Sequence, residues 1–77
     1  MDGRVKSGRV ELMNTGWKMR TEKMGGYWWV VKYKGMEWAY DHSSNLTREC
    51  ARKRMKDIKM LKVDVKWSDG TVTLMVE

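Results

Sequence analysis

The sequence predicts an α+β domain in which an antiparallel sheet of successive hairpins carries one amphipathic helix on one face, in the order β-β-β-β-α-β-β. Two observations lead there. Glycine-marked turns recur at Asn14-Thr15-Gly16, Gly25-Gly26, Lys34-Gly35 and Asp69-Gly70, each between alternating or β-rich segments. A single run, from Leu46 to about Leu61, contains neither Gly nor Pro and follows the capping residues Ser43-Ser44-Asn45. One helix laid on an antiparallel sheet is the simplest layered arrangement that buries both apolar surfaces.

Turn spacing places strands at about 9–14, 17–24, 27–34, 36–41, 63–67 and 71–76. Residues 1–8 hold two glycines, Arg4 and Lys6 without periodicity, and are expected to form a flexible basic arm ahead of a single domain over 9–77. If the Gly25-Gly26 and Lys34-Gly35 turns are two-residue loops, strand alternation sorts the sheet into two faces. One gathers Tyr27, Trp29, Val31, Tyr33, Met36, Trp38 and Tyr40, and is expected to receive the helix because its rings can interlock with Cys50 and Ala51. The opposite face gathers Trp17, Met19, Lys23, Trp28, Val30, Lys32, Lys34, Glu37 and Ala39.

On the helix, Thr47, Cys50, Ala51, Met55, Ile58 and Leu61 fall within an arc of about 140°. Arg48, Arg52, Lys56 and Lys59 cluster on an adjoining arc of about 80°. Arg54 lies at the apolar edge, where its stem is expected to pack and its head to stay solvated. Cys50 is expected to be a packed, inert sulfur, and Asn45 the helix cap.

Several functions are disfavoured by composition. Seventy-seven residues allow one domain with a small core. Five Trp and three Tyr argue against a disordered chain, and no stretch approaches the roughly 20 apolar residues of a membrane span. One Cys and one His give no zinc-ligand spacing, so no metal or other cofactor is expected. Asp41-His42-Ser43 matches a catalytic triad only in letters, since neighbours on extended chain face opposite sides; a strand-to-helix turn suits all three. No phosphate-cradling glycine loop is present. A non-enzymatic protein of the reducing cytoplasm is the expectation.

Charge carries the most information. Arg48 to Lys62 holds seven basic and two acidic residues, a net of +5, while the whole chain is +6. Positive charge gathered on one element is the footprint of a polyanion binder. The expected nucleic-acid contacts, to DNA or RNA, are Arg48, Arg52, Lys53, Lys56 and Lys59 on the helix, with Lys32, Lys34 and Trp28 on the sheet face away from it. There the rings of Trp17 and Trp28 among Lys23, Lys32 and Lys34 could stack on bases, or be covered as a second small core. The competing expectation is a protein–protein effector, an inhibitor or adaptor of viral or mobile-element type, docking on an acidic partner surface. A homodimer paired through strand edges is a third. Membrane contact ranks last, because the helix has no Trp or Phe to insert.

Gly26-Tyr27-Trp28-Trp29-Val30-Val31-Lys32-Tyr33-Lys34-Gly35, followed by a helix after Asn45, resembles in outline double-stranded-RNA-binding domains and the three-stranded DNA-binding domains of some integrases and plant transcription factors. The likeness spans about half the chain and is one of architecture. The Lys-Lys-x-Ala-Lys run of the RNA-binding helix is absent, so no residue roles carry over.

Overall fold

The computed structural model describes residues 16–75. The expected basic arm over 1–8 and the strand over 9–14 lie outside them. Within them the order is β1 (Lys18–Met24), β2 (Tyr27–Lys34), β3 (Glu37–Tyr40), α1 (Arg48–Lys59), β4 (Val65–Lys66) and β5 (Val72–Thr73). The first three strands form an antiparallel sheet in sequence order, and β4 pairs with β5 as a separate hairpin.

Gly25 and Gly26 join β1 to β2, both with positive φ (60° and 85°), a conformation open to residues without a Cβ. The second hairpin turns at Gly35-Met36 rather than Lys34-Gly35, so Lys34 faces Glu37 and Tyr33 faces Trp38. A shift of one residue in the loop on each side preserves parity, so the two expected faces keep their members. Only Met36 leaves its face, for an exposed position in the turn.

The face that meets the helix is the opposite of the expected one. Val30, Ala39, Ile58, Val65 and Trp67 form the core, with Trp17, Met19, Met55 and Val63 packed against it. Size explains the choice. Ala51 and Ile58 are fully buried on the helix, and Trp67 enters from the terminal hairpin. Helix and indole together fill the layer only over short residues such as Val30 and Ala39. Ring-bearing positions would hold the helix too far from the sheet for close packing.

The helix is also shorter than expected. Thr47, not Asn45, is the cap: its Oγ1 accepts from the Cys50 N–H at 3.1 Å. Asn45 instead exchanges backbone hydrogen bonds with Trp28, at 2.7 and 2.9 Å, and its Nδ2 donates to the Trp28 carbonyl as well. At the other end, Leu61 takes a left-handed backbone (φ 55°). The Lys62 N–H then reaches back to Asp57 O, and the Leu61 N–H to Ile58 O, both at 3.0 Å. This is the usual helix-terminating pair of bonds, with leucine where glycine is favoured. Burial of the Leu61 side chain offsets the cost of about 1–2 kcal/mol for that backbone.

The β4–β5 hairpin docks along the outer edge of β3. Asp41 bridges Trp67, Ser68 N donates to Tyr40 O at 2.8 Å, and Tyr40 N donates to Ser68 Oγ at 3.0 Å. An edge that would otherwise offer unpaired backbone groups is thereby covered. The expected Asp41-His42-Ser43 turn forms, with Ser43 N donating to Asp41 Oδ1. Arg54 departs from expectation: its head is not free in solvent but bonds the buried Asp41, Nε to Oδ2 at 2.8 Å. A further contact from Nη2 to Asp64 O ties the helix to the strand before it and the loop after it. No helix among the described residues is long and apolar enough to cross a membrane.

Candidate nucleic-acid interface

With Ala51 and Ile58 turned into the core, geometry fixes the rest of the helix surface. Residues three and four apart share a side, so Arg48, Arg52, Lys56 and Lys59 form one row, and all four are exposed. At 1.5 Å per residue the row runs about 16 Å. Lys53 is exposed beside it, and Arg52, Lys53, Met55, Lys56 and Lys59 line an open concavity of about 430 Å³. The ion pairs among the described residues are Arg20–Glu22, Lys32–Asp69 and Arg54–Asp41, so no carboxylate neutralises the row. Glu49 and Lys53, one helical turn apart, do not pair either. Cys50, about 80° from Ile58 around the axis, is exposed rather than packed.

The sheet residues expected to join this surface separate. Trp28 is half-buried at the start of β2, its ring 5.9 Å from the Arg48 guanidinium, so it adjoins the top of the row. Lys34 is exposed. Lys32 is not a surface cation at all: it is fully buried, against Trp17 and the terminal hairpin. Its Nζ donates to Thr71 Oγ1 at 2.8 Å, sits 3.6 Å from Asp69 Oδ2, and lies over the rings of Trp17 and Trp67 at 4.5 and 5.1 Å. Hydroxyl, carboxylate and two π-faces replace the lost water. Of the expected stacking cluster, Trp17 and Lys32 take the alternative and are covered as core, whereas Trp28 stays half-buried and Lys23 and Lys34 are exposed.

Thr71 is the centre of this polar group. Its hydroxyl accepts from Lys32 and donates to Asp69 Oδ1 at 2.6 Å, while its N–H also donates to Asp69 Oδ1 at 3.0 Å. Burial pushes the Asp69 carboxyl up, but the two bonds from Thr71 and the Lys32 charge outweigh it, leaving the group below its ordinary 3.8.

The face missed by sequence reasoning is the sheet surface away from the helix. Tyr27, Trp29, Tyr40 and Trp38 form a chain of ring contacts across β2 and β3, with centroid separations of 6.5, 5.3 and 6.4 Å. His42 extends it, 5.4 Å from Tyr40, and the Arg20 guanidinium lies 4.5 Å over Tyr33. Alternation had already grouped these rings; volume, which alternation does not report, decides that they stay outside.

No group of side chains suited to holding a metal ion occurs among the described residues. No family model matches the chain, and no curated protein or solved structure matches it either.

Proposed function

We propose that this chain is a small, non-catalytic nucleic-acid-binding module whose helix lays its basic row along a phosphate backbone. The observation that carries the reading is the row itself: Arg48, Arg52, Lys56 and Lys59 are exposed on one side of α1, Lys53 adjoins them, and among the described residues no carboxylate pairs with any of them. Unpaired cations held at fixed spacing are a standing repulsion in the free protein, which a polyanion relieves while counterions leave its surface. Trp28 and Lys34 are secondary contacts, with Trp28 placed beneath Arg48. Lys32 has no part in it. A cytoplasmic setting goes with this reading, where nucleic acid is present and an exposed Cys50 stays reduced.

The test is an electrophoretic mobility shift against duplex DNA, single strands and structured RNA at two salt concentrations. Binding is expected to fall steeply with salt, and the double variant Arg52→Glu/Lys56→Glu is expected to lose it while keeping its circular dichroism. Undiminished binding by that folded variant would remove the helix from the interface. A partner captured from extract that survives nuclease and moderate salt would point instead to an acidic protein surface.

A further inference from the structure

We propose that Tyr27 and Trp38, the exposed rings at the two ends of a sheet face whose middle is closed over the buried Val31, stack unpaired bases of single-stranded nucleic acid on the side away from α1. The inference rests on the nucleic-acid reading above and adds a second surface with a different ligand preference.

Three features of that face point to this occupant. The first is exposed ring area: Trp38 and Tyr27, at the two ends of the ring chain, are 55% and 44% exposed. Large rings left in water on a domain this small are costly unless used. Secondly, the rings are already braced. Trp29 donates through Nε1 to Met24 O at 2.9 Å and meets Tyr27 and Tyr40 edge-on, so little side-chain freedom remains to be lost on binding.

Charge is the third feature. Register places Lys18 and Arg20 of β1 in the same layer as Tyr33 and Val31. On the far side, the Asp41–Trp67 bridge and the His42 N–H to Lys66 O bond set Lys66 beside His42, and Lys66 is exposed. Lys18 on one edge and Lys66 on the other therefore flank the rings, the charge of Arg20 being matched by Glu22. The one carboxylate of β1 on this face, Glu22, is engaged by Arg20 at 2.7 Å. Flat apolar groups for the rings and anionic linkers for the flanking cations are together the chemistry of an unpaired strand, not of a duplex, whose bases are already stacked.

Fluorescence anisotropy of the full chain with labelled oligothymidine, oligouridine and a short DNA duplex tests this. Trp38→Ala is expected to weaken both single strands by at least about fivefold and to leave the duplex within about twofold, with Trp38→Phe retaining most of the affinity. Tyr27→Ala is expected to act in the same direction, which guards against a folding artefact in one variant. A deficit confined to oligothymidine or to oligouridine identifies the source of the strand, and either supports the proposal. Wild-type affinity for both single strands in both alanine variants overturns it. So does duplex binding by the wild type without single-strand binding, an outcome that leaves the helix reading standing. Absence of any binding by the wild type defeats both readings. Sedimentation showing a dimer that Trp38→Ala dissociates overturns the proposal in favour of a second copy on this face.

Discussion

At Lys32 an ammonium is removed from water, and the residues around it explain why the fold tolerates this. Thr71 links the ammonium to Asp69 with one hydroxyl, accepting from one and donating to the other. Thr71→Ala is therefore expected to destabilise the protein by about 1–3 kcal/mol, because a buried charge loses a hydrogen-bond partner. Thr71→Ser, which keeps the hydroxyl, is expected to recover most of that in urea titration. Asp69 adds a pH dependence of definite sign. Its folded carboxyl titrates below its ordinary 3.8, so the native state favours the ionised form. The resulting stability is complete above that ordinary value and is lost as pH falls through the lowered folded one. Unfolding followed from about pH 5 to about pH 2 should show a smaller acid-induced decline in Asp69→Asn than in the unaltered chain.

The elements are held by few, specific ties. Removing the cap by Thr47→Ala is expected to cost about 0.5–2 kcal/mol. Arg54→Ala leaves Asp41, 1% exposed, without its guanidinium. The expected loss is roughly 3 kcal/mol, at the low end for a buried pair because Arg54 keeps some solvent contact. Thermal unfolding of the two variants would check both figures. Among the described residues, the strands, turns and helix were legible because glycine spacing and two-residue alternation are local signals. The choice of sheet face was not. Both faces carry Trp, and what separates them is the room left once Trp67 enters from the far end of the chain, a contact no local pattern reports. Cys50 and Arg54 went the same way: the helical period gives an arc but not its centre. That centre falls at Ala51 and Ile58, leaving Cys50 in solvent and bringing Arg54 within reach of Asp41.

For the molecule as a whole, a small core implies modest stability, so each of these ties is a sizeable share of it. The layering also divides the surface by chemistry. Basic charge lies along the helix, rings lie on the far side of the sheet, and the layer between them holds Trp17, Lys32 and Trp67. The helix row was readable because seven cations against two acids in Arg48 to Lys62 is a compositional fact. The ring face escaped notice because its members were assigned to the core by the same alternation that grouped them. Assignment of Lys32 to a binding surface failed for the complementary reason, since a lysine's charge does not reveal how its environment compensates it.

The most direct measurement of the central claim is the slope of log affinity against log salt for duplex DNA, compared between the unaltered chain and Arg52→Ala/Lys56→Ala. If both side chains neutralise phosphates, the slope should become shallower by about 1.8, some 0.9 for each contact removed. An unchanged slope in a variant that still folds would mean that the helix row does not touch the backbone.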